Sequence, residues 1–189
     1  MAASGVQAAR ARAVEEQVLT GVASLLERGE DLTFAKVARA AEVPERTVYR
    51  YFPNRNALLA AAYQAANRRI GFDGSRPTSV DGLADLIRRA FPVFDDLAPV
   101  VNELLVAPEG RAARLADGQA RRDAFLTLVR TEAPSLDAVT TRRIAAVVQV
   151  LGSAASWQAL REHWDFDGAE AAEAAVLAVR LLIEGARQC

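Results

Sequence analysis

Residues 33–58 read TFAKVARAAEVPERTVYRYFPNRNAL, and the fold turns on how this stretch is read. Thr33 is suited to cap a short helix on which Phe34, Val37 and Ala38 face one way. After a turn at Ala41–Val43, Pro44 opens a second helix, where the missing proline N–H costs little. That helix holds Glu45 to Tyr51 and should end near Pro53, because the residue before a proline disfavours helical angles. Val37, Ala38, Val43, Val48 and Phe52 are spaced to knit the pair together, which leaves Glu45, Arg46, Thr47, Tyr49, Arg50 and Tyr51 to point outward. Two short helices joined by a tight turn can present the second to the major groove of a duplex. The outward chemistry fits that task. Arginine bonds guanine edges through two hydrogen bonds, threonine offers a hydroxyl or a methyl, and tyrosine hydroxyls reach phosphates.

Working outward, alanine, leucine, arginine and glutamate dominate and β-branched alternation is nearly absent, so the whole chain reads as helix. From about Gln7 to Arg28, Val14, Val18, Val22, Leu25 and Leu26 recur at helical spacing, and Gly29 supplies a stop. Downstream, Asn54 or Asn56 caps a fourth helix through Leu58, Leu59, Ala62 and Ala65, ending about Gly71. GFDGSRPTS at residues 71–79 is the clearest linker. Beyond it, helical patterns run through 80–97, 99–107, 110–132, 137–163 and 168–187, with a kink or boundary expected at Pro92. The expectation is an all-α protein of about nine helices. A helix-turn-helix module at residues 1–53 leads through a connecting helix at 54–71 into a helical domain at 72–189.

Net charge is −1, but it is unevenly spread. Residues 1–70 carry a balance of +3 and residues 71–189 a balance of −4, a mild bias toward phosphate contact at the N-terminal end. No uncharged apolar run approaches membrane-spanning length, and no signal-peptide stretch precedes Glu15 and Glu16, so a cytoplasmic protein is expected. The single cysteine, Cys189, allows no intrachain disulfide.

Enzyme classes find little support. A bundle-type metal-carboxylate centre wants paired Glu-x-x-His segments, and the chain has one histidine, His163, beside Glu162. There is no Gly-x-Ser-x-Gly elbow and no phosphate-cradling glycine loop. The adjacent pairs Asp95–Asp96 and Glu15–Glu16 point different ways on a helix and read as solvated faces. No enzymatic activity, cofactor or metal is expected.

Thr33, Val37, Ala38, Ala41, Val43, Thr47, Val48, Tyr49, Tyr51, Phe52, Asn54 and Leu58 stand in the register of one known pattern, and the segment resembles the TetR family of transcriptional regulators. Three positions depart from it: Glu42 stands where glycine is usual, Pro44 replaces a capping serine, and Arg55 replaces a lysine that contacts phosphate in the family. The resemblance implies a dimeric, sequence-specific regulator, a repressor released from a palindromic operator by a small apolar or aromatic ligand. A ligand-independent regulator or activator of the same fold is the nearest alternative; a helical binding or interaction module without DNA function is the alternative from another class. By the same resemblance, Thr33 and Lys36 contact phosphate, and Arg46, Thr47 and Arg50 are candidates for base edges. Glu45 lies alongside them, and Tyr49, Tyr51 and Arg55 are backbone clamps. For a ligand pocket the aromatic pool supplies Phe91, Phe94, Phe125 and Trp157, with Asn102 as a polar anchor. For a homodimer interface, Ile144, Val147, Val148, Leu151 and Ala155 form one apolar face, and Val176, Val179, Leu182 and Ile183 another.

Overall fold

The computed structural model describes residues 2–188, so Cys189 lies outside it. Eleven helices and no strand are found among the described residues. The first four are α1 (Ala2–Glu27), α2 (Phe34–Ala40), α3 (Glu45–Tyr51) and α4 (Arg55–Ile70). The rest are α5 (Val80–Asp96), α6 (Ala98–Val106), α7 (Pro108–Leu115), α8 (Gly118–Glu132), α9 (Ala138–Leu151), α10 (Ala154–Trp164) and α11 (Gly168–Arg187). The two helices beyond the expected nine come from splits. The 110–132 pattern breaks at Ala116–Asp117, and the 137–163 pattern breaks at Gly152–Ser153. At the second break Gly152 sits against Ile87, where an added Cβ would already meet side-chain carbon at 3.4 Å. Pro92 ends nothing: α5 runs through it. Pro108 instead opens α7, as proline at a first helical position can.

The chain divides into two compact units whose boundaries differ from those expected. The first joins residues 1–64 with 99–113, and the second joins 65–98 with 114–189. Packing explains why residues 99–113 belong with the N-terminal unit. Val100, Leu104 and Ala107 share a buried cluster with Leu59 and Ala62 of α4. The other core of this unit gathers Val18, Val22 and Leu25 from α1 with Val37, Ala38, Ala41, Val48, Phe52 and Leu58. Gly21 makes this packing possible. A Cβ there would stand 2.9 Å from the Ala41 backbone nitrogen, closer than such atoms approach.

In the second unit, α5 buries Leu83, Ala84, Ile87, Ala90 and Phe91, while α11 buries Ala171, Ala172, Ala175, Val176, Val179 and Ile183. Gly168, at the start of α11, lies against the Phe91 carbonyl, where a Cβ would come within 2.5 Å. Asp95 closes the joint. One of its carboxylate oxygens accepts from the Trp157 indole N–H (2.9 Å) and from Arg161 (2.8 Å), and the other accepts from the Gly168 amide. Asp95 thus ties α5, α10 and α11 together. Two ion pairs rim the α5–α11 seam, Arg88 with Glu173 at 2.7 Å and Arg180 with Asp81 at 2.7 Å. These are exposed and screened by water, so each adds little. The buried apolar faces do most of the holding.

A candidate nucleic-acid interface

The interface is built on α3, and α2 sets its direction. Thr33 takes extended angles (φ −104°, ψ 149°), and its hydroxyl accepts from the Lys36 amide at 3.3 Å, the N-cap expected. The turn that follows carries Glu42 at φ +53°. A non-glycine residue in this left-handed region is strained by roughly 1–2 kcal/mol. Pro44 is the N-cap of α3 rather than its first residue and makes no side-chain cap; its carbonyl accepts from the Thr47 amide at 2.7 Å. The first-turn amides of α3 therefore lack the side-chain acceptor that a serine would supply.

Along α3, Val48 is fully buried in the module core, and Glu45, Arg46, Tyr49 and Arg50 are exposed. Thr47 and Tyr51, expected to point outward, are half-buried. Tyr51 packs against the module core, and the Arg50 guanidinium lies 5.1 Å from its ring centre. The Tyr49 ring stacks on Phe34 of α2 at 4.5 Å and 16°, so an exposed tyrosine is braced by the helix behind it. The sequence reading puts Phe34 on one face with Val37 and Ala38 and gives it no part in the interface. Arg46 and Arg50, four residues apart, lie on one exposed side of the helix.

The remaining expected contacts are placed differently. The Lys36 ammonium faces Glu30 at 3.7 Å and Asp31 at 3.9 Å, so its charge is shared with the chain. A hydrogen bond from Arg28, helped by the Arg28 and Lys36 charges and opposed by burial, holds the Glu30 carboxyl below its ordinary pKa. Arg55 is engaged most fully. It donates to the Leu32 carbonyl at 2.9 Å and to Glu103 of α6, and its Nε lies 3.6 Å from Glu109 of α7. Glu103 and Glu109 carried no signal in sequence, because they sit about fifty residues away.

Three of the five ligand candidates pack on one another. Phe91 and Trp157 are buried as core, and Phe94 packs between them, 5.8 Å from one ring and 5.6 Å from the other. The indole N–H of Trp157 is already satisfied by Asp95. Phe125 is half-buried on α8, and Asn102 is exposed on α6, in the other compact unit. The second unit does carry an open groove of about 420 Å³, lined by Val80, Asp81, Glu132, Leu177, Arg180, Leu181, Ile183, Glu184 and Arg187. None of the five ligand candidates lines it.

The dimer candidates also need correction. Val148, Val176, Val179 and Ile183 are buried within the subunit, and Ile144, Leu151 and Leu182 are half-buried, which leaves Val147 and Ala155 as the exposed members. A side chain sealed in its own core offers no surface to a partner. The large apolar side chains that α9 and α11 expose are Val147 itself, its neighbours Val139 and Val150, and Leu177 and Leu181.

Residues 19–62, which include α2, α3 and the start of α4, match the family described as bacterial regulatory proteins, tetR family. Neither the curated proteins nor the solved structures contain a match to the chain.

Proposed function

We propose that this chain, whose residues 19–62 match the tetR family of bacterial regulatory proteins, is a transcriptional regulator that acts as a homodimer on an inverted-repeat operator and represses transcription there. The observation that carries the reading is the pair Arg46 and Arg50, exposed on one side of a short helix whose other side is locked into a core by Val48. A helix so held can enter a groove without reorganising, and its two guanidiniums can address base edges. We assign phosphate contacts around it to Tyr49, which is braced by Phe34, and to Tyr51, Thr33 and Lys36, with Thr47 and Glu45 in the first turn of the helix.

A two-fold dimer is supported by the exposed apolar side chains of α9 and α11, which water would otherwise cover. We assign the subunit interface to Val147, Val150, Leu177 and Leu181 in place of the residues sealed inside. Such a dimer sets its recognition helices one duplex turn apart, about 34–36 Å. The reading extends, on the strength of the family resemblance, to release by a small apolar or aromatic molecule.

Selection of bound duplexes from a random pool tests the proposal. An enriched inverted repeat with half-sites one turn apart is expected, followed by release in a screen of small molecules. Enrichment of nothing beyond base composition contradicts it.

A further inference from the structure

We propose that Arg55 is a positioning residue of the recognition unit and not a phosphate clamp: its guanidinium ties the loop before α2 and the first turn of α4 to α6–α7. The inference rests on the DNA-binding reading above and departs from what the family pattern implies for this position. All three faces of the guanidinium meet protein oxygen: the Leu32 carbonyl, the Glu103 carboxylate and, at 3.6 Å, that of Glu109. The Arg55 side chain is 34% exposed, and those of Glu103 and Glu109 are 22% and 28% exposed. Two carboxylates thus share one cation. Moving Arg55 to a phosphate would leave both without this counterion in a partly dry setting, and would bring them toward a polyanion.

The surroundings are built to keep the tie closed. The α6–α7 corner is folded so tightly that a Cβ on Gly110 would stand 2.6 Å from the Leu104 Cα, so glycine alone fits there. This corner carries Glu103 and Glu109 on its two sides. Leu32, whose carbonyl Arg55 holds, packs on the apolar cluster of Leu59, Ala62, Val100, Leu104 and Ala107. It also immediately precedes Thr33, the cap of α2. A pull on α6–α7 is therefore felt at the start of the helix that braces Tyr49. Arg46 and Arg50 contrast with this: neither forms an ion pair that the structure shows among the described residues.

The test uses the full-length protein and a duplex first selected with it, with affinity measured across a salt series. Each phosphate contact contributes about 0.9 to the slope of log affinity against log salt. A positioning role predicts that R55K, R55A and E103Q each weaken binding roughly tenfold, the size of an ordinary pair coupling. It also predicts that the salt slope is kept and that R55A/E103Q binds no more weakly than R55A. R55K is decisive because it keeps the charge and loses the fork. The proposal is overturned if R55K binds like the parent, if R55A lowers the slope by about 0.9, or if E103Q leaves affinity unchanged or raises it. Should R55A not fold, R55K and E103Q carry the same test. A parent protein that selects no duplex overturns the DNA-binding reading itself, whereas a parent that binds with clamp-like variants overturns this inference alone.

Discussion

The two compact units turn different chemistry to the solvent. In the unit that holds α1 to α3, the exposed side of α3 carries Glu45, Arg46 and Arg50, and its large exposed apolar groups are Tyr49 and Val106. In the other unit the exposed large apolar side chains are Leu115, Val139, Val147, Val150, Trp164, Leu177 and Leu181. A charged surface on a rigid short helix suits a polyanion, where counterion release and directed hydrogen bonds supply affinity. Apolar faces on long helices suit another protein face, where burial supplies it. On the proposed reading, nucleic acid falls to one unit and the subunit partner to the other.

The largest expected effect comes from charging the apolar face. L181E places a carboxylate on a surface exposed in the single subunit, so folding should be nearly unchanged. Association should weaken by roughly a hundredfold or more, the scale of an interface hot spot, as sedimentation against concentration would reveal. If L181E stays as dimeric as the parent, α11 does not face the partner. Next in size, G168A forces a methyl against the Phe91 carbonyl and the Asp95 carboxylate. Overpacking of this kind costs about 1–3 kcal/mol, seen as a lower midpoint in chemical denaturation. The loss should fall on the second unit.

Acid should also act on the second unit. The Val80 amide and then the Arg187 guanidinium, opposed by burial, hold the Glu132 carboxyl below its ordinary pKa. Asp137 is held down by the Thr140 hydroxyl and by the Thr140 and Val139 amides. Both groups bind a proton more readily when unfolded, so their stabilisation is full above the unfolded values, near pH 4, and is lost as pH falls through the lower folded values. Thermal midpoints measured from pH 7 downward should hold to about pH 5 and then decline. In E132Q the decline should be shallower. The smallest effect belongs to the recognition unit: E42G relieves the left-handed strain at φ +53° and should stabilise by about 1 kcal/mol, with DNA affinity kept.

How much of this was legible in sequence follows the range of the interactions. The α2–α3 pair was legible because its signals are local: Thr33 as cap, Pro53 as stop, and Val37, Val48 and Phe52 at fixed spacing. Helical periodicity tells which residues share a face, but not which face a neighbouring helix covers. On α11, Val176, Val179 and Ile183 went inward and Leu177 and Leu181 outward, a choice made by α5 and by the close approach at Gly168. Trp157 looked like a pocket wall because Asp95, its indole partner, lies 62 residues away in the chain. Arg55 looked free for the same reason, its carboxylate Glu103 being 48 residues downstream. The Gly152–Ser153 break was hidden within a run of small residues that helices tolerate.

The central claim is that α3 reads bases through Arg46 and Arg50. Its most direct measurement compares the parent and the R46A/R50A variant on the selected duplex and on a scrambled one at a single fixed salt concentration. The account predicts that the parent prefers the selected duplex by about a thousandfold or more. In the variant that preference should collapse while binding to the scrambled duplex falls much less. Equal losses on both duplexes, or an undiminished preference in the variant, would contradict it.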